Sequence, residues 1–325
     1  MPRILLVKTS SMGDVIHNFP VIADIRKHHP HATFDWVVEE GFAEIARLHP
    51  HVRDVIPVAI RRWRKHLLQG KAWAEIADFR KRLTSQRYDH VLDTQGLIKS
   101  AVISRMANGP SYGQDRQSAR EPLAACLYEH RYASARNQHA VARNRELAAL
   151  ALGYPVPTTL PDYGLAGSSP LVNDPQLALP AHYIVGLHAT SRDSKLWAVE
   201  HWMTLGRDLY EQGYALLLPW ASESEHARAA SIAQNTAGAI VLPKLRLTQL
   251  AGIIAGARAA VGVDTGLAHL AVALKCPTVA IYTDTDPSLT GIYPGSDTFA
   301  VNLGGKAMPP SPQHVIQSLA PIIAA

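Results

Sequence analysis

Cysteine is scarce in this chain of 325 residues, with only Cys126 and Cys276 present. Two thiols so far apart in sequence build neither a disulfide framework nor a thiolate metal set, and they point to a reducing compartment. Long apolar runs are also missing. None approaches the ~20 residues of a membrane span, and no apolar segment of a secretory signal follows Met1, so the expected location is the cytoplasm. Glycine is sparse where a nucleotide fold would use it. The opening RILLVKTSSMGDVIHNFPVI reads as a strand, a small-residue turn and a helix beginning near Asp14. That turn has one glycine, Gly13, where a dinucleotide fingerprint takes three, and it lacks the Lys-Ser/Thr ending of a P-loop. Neither half carries GxGxxG after its first strand, which argues against an NAD-dependent oxidoreductase. No recognised nucleic-acid module and no stripe of stacking aromatics is found, so nucleic acid is not an expected partner.

The composition that remains, 47% apolar and 18% charged, is that of an ordinary soluble globular protein. The length predicts about two domains, each able to bury its own core. The formal charge is +5, and part of the excess lies in RRWRKH at 61 to 66. Such a cluster attracts phosphate or carboxylate; it serves equally well as a solvated helix face with Trp63 turned inward. HHPH at 28 to 31 has histidines enough to suggest a metal, but the proline and the position between helix and strand favour a surface turn.

Alternation of strand and helix patterns runs through TFDWVVEE, GFAEIARLHP, VRDVIPVAI, KAWAEIADFRKRL, HVLDTQG and LIKSAVISRMA, as in βαβ units with a parallel sheet. A proline-rich stretch from Gly153 to Pro180 breaks it. The alternation restarts with YIVGLHAT and continues to TVAIYTD, giving five strands with four intervening helices. The expected organisation is an N-terminal Rossmann-like domain over 1–165, a linker over 166–180 and a C-terminal Rossmann-like domain over 181–325, whose last helix is free to pack back on the first domain.

In doubly wound sheets ligands bind outside the carboxyl ends of the strands. Three such ends in the second half carry residues suited to a diphosphate and a sugar. LHAT runs into SRDSKLW, placing Thr190, Ser191 and Lys195 at one mouth; a single lysine is by default a surface lysine. AAVGVD ends at Asp264, and Thr265-Gly266 open a helix whose N–H groups and positive dipole end suit phosphate, unless Asp264 simply caps it. His269 lies one turn into that helix. Glu225, after YALLLPW, is placed to accept from ribose hydroxyls or to favour a helix N-terminus.

Taken in this order, KTSSMGDVIH, HATSRDSKLW, LPWASESE and VDTGLAHL resemble the lipopolysaccharide heptosyltransferases of glycosyltransferase family nine, over nearly the whole chain. KTSSMGD, FDWVVEEGFAEI and IPVAIRRWRK are similar to those members that add the first heptose to Kdo on lipid A. The resemblance implies a GT-B architecture, with two Rossmann-like doubly wound domains facing across a cleft. It implies inverting transfer of L-glycero-D-manno-heptose from ADP-heptose to Kdo of Kdo2-lipid A, without cofactor or metal, at the cytoplasmic face of the inner membrane. On matching positions, Thr190, Ser191 and Lys195 would surround phosphates and heptose, Glu225 would hold the ribose, and Asp264, Thr265, Gly266 and His269 would meet the sugar diphosphate. Asp14 matches the catalytic base, with Lys195 stabilising the leaving diphosphate. Arg61, Arg62, Arg64, Lys65 and Arg120 match basic positions for the acidic acceptor.

Two departures stand out. Relatives read KxWP, but Ala198 follows Lys195-Leu196-Trp197 here; losing proline at a helix start changes rigidity more than chemistry. IYTDTDPS carries Asp284-Thr285-Asp286, a DxD pattern that resembles the metal site of the other large glycosyltransferase fold, against which two Rossmann halves argue. The alternatives are a family member acting on a later core acceptor and a bilobal nucleotide-sugar binder without catalysis.

Overall fold

The computed structural model describes residues 1–66, 68–165 and 178–324, so most of the expected 166–180 linker lies outside the described residues. The chain divides into two compact units, Met1–Gly164 and Leu165–Ala325.

In the first unit, β1 (Arg3–Val7) is buried along almost its whole length, the pattern of a central strand covered on both faces. It leads to α1 (Met12–Ile16), α2 (Phe19–His28), β2 (Thr33–Glu39), α3 (Ala43–Arg47), β3 (Val52–Val58), α4 (Ile60–Trp63) and α5 (Gly70–Thr84). Then come β4 (His90–Asp93), α6 (Ile98–Met106), β5 (Ser111–Gln114), β6 (His130–Tyr132) and α7 (Ala140–Leu152). The six strands pair in parallel in the order β3-β2-β1-β4-β5-β6.

The second unit repeats the plan. It runs through β7 (Tyr183–Leu187), α8 (Val199–Glu211), β8 (Ala215–Leu218), α9 (Glu223–Gln234), β9 (Ala239–Val241) and α10 (Leu247–Ala255). It continues through β10 (Ala259–Val263), α11 (Gly266–Ala273), β11 (Thr278–Tyr282), α12 (Pro287–Thr290), β12 (Ala300–Gly304) and α13 (Pro312–Ala324). Its parallel sheet has the order β12-β11-β10-β7-β8-β9, which is the first sheet's order again. Each sheet reverses its winding once, between β1 and β4 and between β7 and β10. In doubly wound sheets the ligand crevice lies at the carboxyl ends of such strand pairs.

Each unit has its own core. Leu5, Val7, Val37, Ile56, Phe79 and Val91 pack one face of the first sheet. A buried ion pair ties α7 to α2, with Arg145 Nε and one terminal nitrogen on Asp24 at 2.6 and 3.1 Å. In the second unit Trp197, Trp202, Leu205, Val261 and Ile281 share a cluster with Val315 and Leu319 of α13. The final helix thus packs on α8, β10 and β11 of its own unit.

The structure departs from the expected elements in instructive places. The opening helix is two: α1 stops at Ile16, and α2 starts afresh with Pro20 in its first turn, where the missing N–H costs nothing. The second sheet has six strands rather than five, because Ala300–Gly304 adds β12 beside β11. Gly13 is not in the turn at all; it is a buried residue inside α1. Trp63 is buried, as the sequence suggests.

Candidate active site

At the first crevice, Lys8 to Ser11 leave β1 and must turn without a glycine. The turn is held from β4's side. The Gln95 side-chain oxygen accepts from Thr9 N at 2.9 Å and Ser10 N at 3.2 Å, while its amide donates to Ser10 O at 2.6 Å. Gln95 is itself placed by Asp93, whose carboxylate accepts from Gln95 N at 2.7 Å, Gly96 N at 3.2 Å and the Tyr128 hydroxyl at 2.8 Å. Burial pushes the Asp93 carboxyl up, and those donors oppose it. Gly96 has φ +67°, and a Cβ there would crowd the Arg120 backbone nitrogen at 3.2 Å; glycine therefore lets the Arg120 loop approach this turn.

Asp14 is the third residue of α1. Its Oδ2 accepts from Ser11 N at 2.9 Å and Ser11 Oγ at 3.0 Å, closing a capping box in which Ser11, not Asp14, is the N-cap. The side chain remains partly exposed. Lys8 lies buried beside it, donating from Nζ to Thr94 O at 2.8 Å. Burial drives the Lys8 ammonium down, and the Asp14 and Asp93 carboxylates work against that loss of charge. Lys8 belongs to the KTSSMGD stretch but had no assigned role; only the fold buries it next to Asp14.

The basic cluster falls on α4 and the residues after it. Arg61, Arg62, Lys65 and His66 line a concavity of about 450 Å³ together with Glu39, Glu40, Gly41 and Phe42. The positions are not equivalent. Arg62 is held by both Glu40 oxygens at 3.0 Å and by Glu75 at 2.7 Å, which raises its already high pKa. Arg61 reaches over the Phe42 ring at 5.8 Å, and Arg64 and Lys65 are exposed. Arg62 thus braces the cluster while the other cations face solvent.

At the second crevice, Lys195 and Asp264 come together from residues 69 apart in sequence, Nζ to Oδ2 at 2.6 Å and both largely buried. The same Asp264 oxygen accepts from the Thr285 hydroxyl at 2.6 Å, and Thr190 Oγ1 donates to the Asp264 carbonyl at 2.7 Å. The mouths of β7 and β10 are therefore laced together. Asp264 does not cap α11; Thr265 is its N-cap residue, and no side chain caps the helix. Gly262 allows the close fit behind this point, since a Cβ there would sit 3.1 Å from that of Leu187 and 3.2 Å from that of Ala268. His269 is buried in α11, and Ser191 is exposed.

Glu225 performs the capping alternative. Its Oε2 accepts from Ala221 N at 2.7 Å, and Ser222 Oγ accepts from Glu225 N at 3.3 Å. The DxD residues have structural partners: Asp284 accepts from Ser194 Oγ at 2.6 Å, and Asp286 caps α12 through Ser288 N at 2.9 Å. Ala198, at the position where the KxWP pattern has proline, is the N-cap of α8. Trp197 beside it is fixed by donating to Pro310 O at 2.9 Å.

A family model described as glycosyltransferase family 9 (heptosyltransferase) matches residues 76–319. Lipopolysaccharide heptosyltransferase 1 of Pseudomonas aeruginosa is 49% identical over 292 residues, covering 90% of this chain and 81% of the relative. Two solved structures of the E. coli heptosyltransferase WaaC, one with ADP and one with ADP-2-deoxy-2-fluoro heptose, are each 44% identical, with TM-scores of 0.90 and 0.87. Both matches cover 98% of this chain and 99% of the other. Two parallel-sheet α/β units with this match are the GT-B type of architecture.

Proposed function

The chain belongs to glycosyltransferase family 9, the heptosyltransferases, and from that membership we propose how its two crevices divide the reaction. It is a glycosyltransferase that moves heptose in lipopolysaccharide inner-core synthesis. The donor is ADP-heptose, a reading supported by the E. coli WaaC structures, which hold ADP and ADP-2-deoxy-2-fluoro heptose. The acceptor is the Kdo of Kdo2-lipid A, presented at the membrane surface. Among the described residues no helix is long and apolar enough to cross a membrane, so contact with the lipid is peripheral in this reading.

The observation that carries the donor assignment is the knot of Lys195, Asp264 and Thr190 across the winding reversal of the second sheet. The diphosphate lies against Lys195 and the N-terminal N–H groups of α11 at Thr265-Gly266, where charge and dipole both favour an anion. Asp264 keeps the ammonium pointed into the crevice, Ser191 and His269 flank the diphosphate and heptose, and Glu225 takes the ribose with the oxygen its capping box leaves over.

Chemistry then needs a base for the acceptor hydroxyl and stabilisation for departing ADP. The hydroxyl oxygen attacks the anomeric carbon and gives its proton to Asp14. The bond from that carbon to the β-phosphate oxygen breaks, and Lys195 meets the charge that develops on ADP. One direct displacement inverts the anomeric centre. Arg61, Arg64, Lys65 and Arg120 attract the carboxylates and phosphates of the acceptor, and Arg62 holds that cluster in place.

The test is product analysis. With ADP-heptose and purified Kdo2-lipid A, in EDTA, the protein should release ADP and add one heptose to the acceptor. Heptosylated lipid A is offered in parallel. Faster transfer to that second acceptor would overturn the assignment to the first heptose, and binding without ADP release would make the protein a binder.

A further inference from the structure

The α5 helix carries a surface that the site does not use. Ala72, Phe79 and Leu83 turn one stripe of it into the first unit's core. At 100° per residue, Trp73, Ala77, Arg80, Lys81 and Thr84 fall within about 100° of arc on the side away from that stripe, and all five are exposed. Trp73 is 59% exposed, and Leu68, just before the helix, is fully so. The helix's two carboxylates lie outside that arc, with exposed Asp78 at its edge, one i,i+3 step from Lys81. Glu75 is occupied by Arg62 and Trp63, and it lines a second concavity with Asp78 and Arg82. Arg82, the remaining cation of the last turn, is paired with Asp54 at 2.6 Å. The outward stripe therefore shows two apolar side chains and two cations, with no carboxylate among them.

We propose that Leu68, Trp73, Arg80 and Lys81 form a docking edge for an anionic lipid bilayer. The proposal rests on the reading that the acceptor is a membrane lipid. Tryptophan is the side chain best suited to the headgroup boundary, a fully exposed leucine next to it gains by leaving water, and lysine and arginine near an anionic leaflet each favour binding by about fivefold. Burying such residues against another protein would strand the two cations unless it supplied acidic partners; an anionic membrane supplies them everywhere on its surface. The edge continues in sequence from the concavity lined by Arg61, Lys65 and His66. Docking through it holds the acceptor-binding cations beside the leaflet in which the acceptor is anchored.

Sedimentation of the full chain with vesicles tests this. Wild type should bind vesicles containing anionic phosphatidylglycerol and leave purely zwitterionic ones unbound at the same salt. R80Q/K81Q should weaken anionic-vesicle binding by about thirty-fold, and L68S/W73S should weaken it without removing the anionic preference. Both double variants should keep wild-type transfer to a deacylated, water-soluble Kdo acceptor, which also shows that they fold. Vesicle affinity equal to wild type in both variants, or no anionic binding by wild type, would overturn the proposal. Absence of transfer to any Kdo acceptor would instead refute the functional reading and leave the vesicle result to stand by itself.

Discussion

Replacing Asp14 with asparagine separates two tasks held by one carboxylate. Asp14 Oδ2 closes the α1 capping box by accepting from Ser11 N and Ser11 Oγ, and the amide oxygen of asparagine can accept the same two bonds. What the folded state loses is a negative charge in the first turn of a helix, a matter of about 0.3–1 kcal/mol. What the reaction loses is its base. A positioned base contributes roughly 10²–10⁴ in rate, equivalent to about 3–5 kcal/mol in the barrier, several times the structural effect. D14N should therefore melt within a few degrees of wild type and bind ADP with unchanged affinity, because the donor residues lie in the other unit, while kcat falls by at least a hundredfold. Three measurements on one preparation decide it: a thermal melt, calorimetric titration with ADP, and ADP release with Kdo2-lipid A. Turnover within threefold of wild type would show that the carboxylate is only part of a cap. D14A should lose the capping bonds as well and melt lower than D14N, which separates the structural share from the chemical one.

In the basic cluster, R61A/K65A should raise the acceptor KM and its dependence on ionic strength should shrink, with ADP affinity intact; an equal fall in ADP affinity would move these residues elsewhere. R62A should also disturb the position of α4, because it unties Glu40 and Glu75 together, so its effect should persist at high salt, where those of R61A and K65A fade. Removing the Lys195 ammonium with K195A should weaken ADP binding by about ten- to a hundredfold, the range of a charge-assisted hydrogen bond, and lower kcat further; unchanged ADP affinity would reduce Lys195 to a partner of Asp264. His188, buried at the end of β7, is held down to about 4 by burial and then by Arg228. The unfolded chain takes up that proton near 6.5, so stability should be full above 6.5 and fall as pH drops toward 4, by about 3 kcal/mol at 1.4 kcal/mol per pH unit. Melting temperatures flat across that window would contradict the buried neutral imidazole.

Much of the fold was legible in local pattern. β1, β2, β7, β10 and β11 are apolar runs that only a sheet covered on both faces accommodates, and α5 and α8 carry the 3.6-residue stripe that marks one buried face. The segments that were not assigned are weak by the same measure. SYGQ of β5, HRY of β6 and AVNLG of β12 are short and partly polar, and they become strands only because a formed neighbour offers backbone partners. The site divides along the same line. Residue types at strand ends placed Asp14, Lys195, Asp264 and Thr265 at the crevices, since position after a strand is a local property.

Which groups meet across a crevice depends on the strand order, and a local pattern does not encode it. The ion pair of Lys195 with Asp264, the bond from Lys8 Nζ to the Thr94 carbonyl, and the hold of Gln95 on a turn without glycine join residues 69 to 86 apart. Likewise, composition showed that the stretch from 61 to 66 is basic, while packing against Glu40 and Glu75 decided that Arg62 is a brace and left Arg64 and Lys65 to solvent. Periodicity and chemistry of residue type act over one or two turns of chain, so the sequence alone determined the elements and the kinds of group available. Partnership, burial and charge state follow from which strands lie side by side, and that the tertiary structure decided.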